Sequence, residues 1–186
     1  METSTDIQAV TLALGQEVFA VPIDCVREIL DYRQPFSIPD GPAYLLGLTD
    51  VRGRAVPTLD LRVKLGLPAV APTLSTRILV LDVPVQDRLL SLGLVADRVI
   101  EVVALSRQDL EPAPDIGVPW RSDYIQGVVR RSDGFVVLFN LARLLTSEDA
   151  ALSLGARLAE AGRASEIRIY LRGGALGGRY VYPAGA

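Results

Sequence analysis

Cys25 is the chain's one thiol, and no histidine stands anywhere to take its proton. A serine or cysteine nucleophile needs a base within hydrogen-bond reach, and no imidazole is present to serve. The same absence removes a histidine metal ligand and a histidine phosphoacceptor, while a single thiolate cannot build a metal cluster or an intrachain disulfide. Neither a metal nor any other cofactor is expected. The 22 acidic residues could supply a carboxylate pair for acid–base work, as in a glycosidase. Among so many acids, however, some pair always lies close. Neither a G-x-x-x-x-G-K-[S/T] run nor a G-x-G-x-x-G run occurs, so no phosphate-cradling loop is indicated. Cys25 reads as a small, partly buried residue rather than a reactive thiol. What remains with chemical character is charge and shape, and that points away from an enzyme.

The elements that must position these groups are announced by a stretch the chain uses twice. Tyr44-Leu45-Leu46-Gly47-Leu48 returns as Tyr124-Ile125-Gln126-Gly127-Val128. Leu59-Asp60-Leu61 and Leu65 return as Phe139-Asn140-Leu141 and Leu145, at the same offset of 80 residues. Each copy reads as strand, tight turn, strand and capped helical turn. Asp60 and Asn140 stand where a side chain accepts the free N–H groups of Leu61–Leu65 and Leu141–Leu145. Arg52-Gly53 makes the first turn and Asp133-Gly134 the second. An earlier pair, Asp24-Cys25-Val26-Arg27-Glu28 and Asp97-Arg98-Val99-Ile100-Glu101, repeats at an offset of 73. The seven-residue difference is an insertion in the second half. Internal repeats on this scale decide architecture before any single residue does.

Around the repeats, alternation at Val10, Leu12 and Leu14 predicts a strand. Gly15-Gln16-Glu17 turns the chain, and Val18 to Val21 returns and stops at Pro22. Asp24 is expected to cap one turn. Val26 to Tyr32 suits a strand, with a helix over Asp24 to Leu30 as the alternative. Pro35, Pro39 and Pro42 mark a loop. Residues 66–75 are a link between subdomains. Arg77 to Val83 predicts a strand buried on both faces and stopped by Pro84; Leu89 to Val95 and Val99 to Leu105 follow as strands. Residues 106–120 read as a long loop containing Ile116 and Trp120. A helix is expected from Ser147 to about Ala161, and beyond Gly162 only Ile167, Ile169 and Leu171 show a strand period.

The fold class expected is mainly β: two pseudo-symmetric five-stranded β-barrel subdomains with short helices and a C-terminal helix. The expected divisions are a flexible lead over 1–8 and a core unit over 9–152. Within that unit, intertwined halves cover about 20–75 and 76–145, with the first strand shared. An extension covers 153–186. Hydrophobic residues at 49% and charged residues at 22% allow a packed core. No apolar run approaches the ~20 residues that span a bilayer, and the polar start lacks the pattern of a signal peptide, so a cytoplasmic location is expected. The net charge of −3 offers no basic face for a phosphate backbone. Arg130-Arg131 is the nearest candidate, and a solvated edge is its plainer reading. With aromatic residues at 6%, a stacking platform for single-stranded nucleic acid is not indicated.

Gly47-Leu48-Thr49-Asp50-Val51-Arg52-Gly53, followed by Val56-Pro57 and Leu59-Asp60-Leu61-Arg62, resembles the G-x-x-N-[LV]-R-G-x-x-x-P-[VI]-x-D-L pattern of the CheW family, the adaptors of bacterial chemotaxis arrays. Phe19-Ala20-Val21-Pro22-Ile23, Val26-Arg27-Glu28-Ile29 and Pro112-Ala113-Pro114 add to the match, which runs from about Val10 to Leu152. Asp50 departs from the family's usual asparagine, and the extension is longer than the family's. The resemblance implies two pseudo-symmetric barrels. It also implies a scaffold that bridges chemoreceptor signalling tips to the regulatory domain of the histidine kinase CheA, meeting the membrane only through receptors. It implies receptor coupling for Arg52, paired with Glu28. For Val26 and Val99 it implies a place near the groove between the barrels, against core packing as the plainer reading. For Ile116 it implies contact with the kinase domain, against a residue folded back on the core. Gly47 and Gly53 are read as structural turn positions, with positive φ expected at Gly53. A fragment of the kinase itself is the alternative within the family, and the chain's own Met1 and lack of an ATP-binding motif favour the separate adaptor.

Overall fold

The computed structural model describes residues 6–39, 41–85, 87–113, 122–145 and 149. Ile116, the helix expected from Ser147 and the extension after 152 lie outside the described residues.

Among the described residues eleven strands and two named single-turn α-helices follow one another. They are β1 (Ile7–Leu14), β2 (Glu17–Pro22), β3 (Val26–Asp31), β4 (Leu45–Val51), β5 (Arg54–Asp60) and α1 (Leu61–Lys64). Then come β6 (Arg77–Val85), β7 (Arg88–Ala96), β8 (Arg98–Leu105), β9 (Leu110–Glu111), β10 (Ile125–Arg131), β11 (Gly134–Phe139) and α2 (Leu141–Leu144). They build two sheets, ordered β3-β6-β7-β5-β4 and β8-β1-β2-β11-β10-β9. Apart from the two-residue β9, each sheet has five strands, and the two orders correspond strand for strand.

That correspondence contains an exchange. Each half of the chain makes a hairpin, then three strands and a helical turn. The first hairpin, β1–β2, sits in the sheet of β8, β10 and β11; the second, β6–β7, sits with β3, β4 and β5. The sheets are therefore not separated at residue 75: the first sheet runs on through β7, and β1 and β2 both belong to the second. The apolar run supplies the reason. Ile78, Leu79, Val80 and Leu81 are all fully buried, so β6 needs strands beside it and cover on both faces, and it finds them between β3 and β7. Parallel pairing then closes each exchange, Thr58 opposite Gly93 in one sheet and Leu138 opposite Ala20 in the other.

The repeat extends to single hydrogen bonds. Asp60 N donates to Tyr44 O at 2.8 Å, and Asn140 N to Tyr124 O at 2.7 Å. The Asp60 and Asn140 side chains each accept from the backbone N–H three residues on, both at 3.2 Å. Both caps are where the sequence places them. The main core draws on both sheets, with Leu12, Phe19 and Phe139 from one and Leu59, Leu79 and Leu94 from the other. Phe19 and Phe139 stack with ring centroids 4.9 Å apart.

Three local expectations change. β6 passes through Pro84, which pairs with Leu89. β3 last pairs at Leu81, so the missing proline N–H faces no strand. Asp24 does not cap. It lies inside a 3-10 turn, Ile23–Cys25, whose first flanking residue is Pro22. From Val26 the chain is strand, as expected, and the alternative helix does not form. The stretch after 105 is not all loop. Ser106 caps a 3-10 turn, Arg107–Asp109, and β9 then pairs with β10.

Candidate functional site

The turn between β4 and β5 has both central residues at positive φ, 55° at Arg52 and 80° at Gly53. This is the combination that matches the twist of a two-residue hairpin. Gly53 adopts it freely. Arg52 is the one non-glycine residue at positive φ among those described, which is uncommon for such a side chain. Asp50 helps to hold it there, because Gly53 N donates to Asp50 Oδ1 at 2.7 Å. An asparagine oxygen could accept the same bond, so the departure from the family's usual residue keeps the turn's geometry.

The Arg52 guanidinium donates from Nε to Glu28 Oε2 at 3.3 Å. Glu28 is on β3 and Arg52 on the turn after β4, and these strands are opposite edges of one sheet. Contact between them means that the sheet curls until its edges meet. The second sheet does the same: Arg131, at the end of β10, reaches Glu101 on β8 at 3.7 Å. Glu101 is the repeat counterpart of Glu28. The ion pair is thus partly architectural, a clasp present in both halves. Exposure separates the two. Arg52 is 79% exposed and its Glu28 partner 17%, so a docking partner can reach the cation while the carboxylate stays inside.

Val26 and Val99 stand at corresponding places on β3 and β8, the outer strands of the two sheets. Val26 pairs with Leu81 and Val99 with Leu12. Both are half-buried against the main core, so each keeps part of its side chain outside. Gly47 is not at a turn. It lies within β4 at a register shift, with φ of 138°. A Cβ there would fall 1.9 Å from Phe36 O, whose backbone pairs with Leu48. Gly127 repeats the arrangement, with Leu110 and Glu111 of β9 in the place of Phe36.

Cys25 is half-buried against the core. Burial first, and the neighbouring Asp24 second, push its thiol above the ordinary range. Alkylation at neutral pH is therefore expected to be several-fold slower than for an exposed peptide thiol. A rate equal to the free peptide's, followed by mass spectrometry, would contradict the packing described. Among the described residues no three acidic or thiol side chains converge as a metal site, and no helix is long and apolar enough to cross a membrane.

Three contacts are marked by no local motif in the sequence. Arg62 Nη1 donates to Asp97 Oδ2 at 2.8 Å, and Gly15 N donates to the same oxygen at 2.7 Å. This ties α1 to the crossing between β7 and β8. Lys64 Nζ lies 2.8 Å from Asp149 Oδ2 and 3.9 Å from the centre of the Tyr44 ring. The Thr49 and Thr58 hydroxyls meet at 2.6 Å inside the first sheet. Asp97 had one clue, as the repeat counterpart of Asp24. The partners of Lys64 and Thr49 had none.

Two curled, intertwined five-stranded sheets with an arginine turn exposed at one clasp define the class. The CheW-like domain family model matches residues 8–149, and the chain belongs to that family. It is similar to the chemotaxis protein CheW of Klebsiella aerogenes, 32% identical over 139 residues that cover 75% of this chain and 81% of the relative. It is also similar to the chemotaxis protein CheW of Rhizobium meliloti, 30% identical over 142 residues covering 76% and 89%. The crystal structure of the scaffolding protein TtCheW from Thermoanaerobacter tengcongensis shares the fold. Its TM-score is 0.67 at 21% identity, over 78% of this chain and 91% of that one.

Proposed function

We propose that this protein is a non-catalytic coupling adaptor, holding chemoreceptor signalling tips to the regulatory domain of a CheA-type histidine kinase in the cytoplasm. Family membership over residues 8–149 supports the chemotaxis role. The single observation that carries the receptor contact is Arg52, held at positive φ and bonded to Glu28 yet largely exposed. A cation fixed in this way is presented at little further entropic cost when a partner docks. Val26 and Val99 offer apolar side chains on the two outer strands, suited to the apolar stripe of a receptor helix. Ile116 is assigned to the kinase contact on the family resemblance. The work done is binding on two surfaces, with array assembly gaining strength from multivalency.

Arg52→Glu tests the assignment. An exposed ion pair is worth at most ~1 kcal/mol, so the variant is expected to stay folded, with unfolding free energy within about that amount of the parent. Its affinity for a receptor signalling tip is expected to fall at least about tenfold, equivalent to ~1.4 kcal/mol. A folded variant with unchanged receptor affinity would remove Arg52 from the site.

A further inference from the structure

Among the described residues β8 is an edge strand that pairs with β1 alone, six of its eight residues in register and a bulge at Ile100–Glu101, and no strand hydrogen-bonds to its outer side. Exposed edges of this kind invite another strand. The other three edges are less open. β9 has two residues; β4 is met by the Phe36 backbone at Leu48; β3 is shorter and carries Glu28 and Asp31. On β8 the outward side chains are apolar beyond Arg98 at its start, with Ile100 42% exposed and Val102 55%. Between them stands Glu101, 55% exposed in its side chain and paired with Arg131 only at 3.7 Å.

The chain itself contains a segment with the complementary pattern. Ile167-Arg168-Ile169-Tyr170-Leu171-Arg172 alternates apolar side chains with two arginines and a tyrosine, the period of a strand with one apolar face. Residues 150–186 contain five arginines and two glutamates, a charge of +3; with −3 for the whole, the first 149 residues carry −6. The extension is therefore basic and the body acidic. With the expected helix to about Ala161, the seventeen residues from 150 to 166 span roughly 35 Å, close to the ~40 Å width of a body this size. Asp149 is held by Lys64 on α1, and α1 is tied through Arg62 to Asp97, next to the start of β8, so β8 lies within reach.

We propose that residues 167–172 add to β8 as a further strand, with Ile167, Ile169 and Leu171 beside Ile100 and Val102 and an arginine near Glu101. The main-chain hydrogen bonds supply the affinity and the alternating side chains the register. The occupant is this chain's own extension, bound in cis. The proposal is independent of the coupling role.

Hydrogen exchange of the full chain tests it. Amides in 98–105 should exchange at least about tenfold slower in the parent than in Ile169→Asp, a difference in opening of ~1.4 kcal/mol, while those of β4 are unchanged. A synthetic peptide of residues 163–174 should restore protection to Ile169→Asp, and should fail to do so when Val102→Asp is also present. Equal exchange of β8 in parent and variant would overturn the proposal. So would faster exchange on β4 to the same degree, which would mean that the extension steadies the whole fold. Protection that vanishes on dilution would overturn it in favour of a second copy.

Discussion

Gly47→Val is expected to destabilise the fold by about 3–5 kcal/mol, adding the strain of a left-handed backbone to that of overpacking. At φ 138° an L side chain is strained before any neighbour is considered. The Cβ would also fall 1.9 Å from Phe36 O and 2.6 Å from its carbonyl carbon. Backbone cannot swing aside as a side-chain tip does, so the Phe36–Leu48 pairing, bonded at 2.7 and 2.9 Å, must open. Gly127→Val meets mostly the Leu110 side chain, at 2.4 Å, with no positive φ there, and should cost about 1–3 kcal/mol. Gly53→Ala meets nothing within 4 Å at φ 80° and should cost about 1 kcal/mol. Urea unfolding of the three variants checks the order; a Gly47 variant no weaker than the Gly53 variant would contradict the close approach.

Lys64→Met is expected to cost about 3–5 kcal/mol, because it removes the cation that neutralises a buried carboxylate. The side chains of Lys64 and Asp149 are 5% and 0% exposed. The loss should be nearly insensitive to salt, since screening acts on exposed pairs. The double variant Lys64→Met with Asp149→Leu should recover most of it by replacing both charges with apolar volume. Urea midpoints at low and high salt measure all of this. A single variant within ~1 kcal/mol of the parent would mean that the pair is solvated.

The glycines and caps made the repeat legible, because each is demanded by backbone geometry within a few residues. Gly47 and Gly127 both admit a neighbouring strand, and Asp60 and Asn140 both stop one. The repeat also located the insertion. Phe36 opposite Leu48 corresponds to Glu111 opposite Val128, which places five of the seven extra residues between Glu111 and Tyr124. The hairpin exchange was not legible. Whether β6–β7 lies beside β3 or β8 depends on which surface buries Ile78 to Leu81, and both halves are apolar in the same pattern. Pro84 misled for a related reason, since a proline stops a strand only where a neighbour needs its N–H. Of the site, the Arg52–Glu28 pair was expected from resemblance and is present at 3.3 Å. That it doubles as a barrel clasp emerged only when Glu101 and Arg131 were seen to repeat it. The link from Lys64 to Asp149 joins residues 85 apart, and nothing local marks either as the other's partner.

A coupling adaptor of the proposed kind must hold two partners at once on separate surfaces. Calorimetric titration of the full chain with a CheA-type regulatory domain, with a receptor signalling tip, and with each after saturation by the other tests it most directly. Binding to both is expected, with neither partner excluding the other. Displacement of one by the other, or binding to neither, would contradict it.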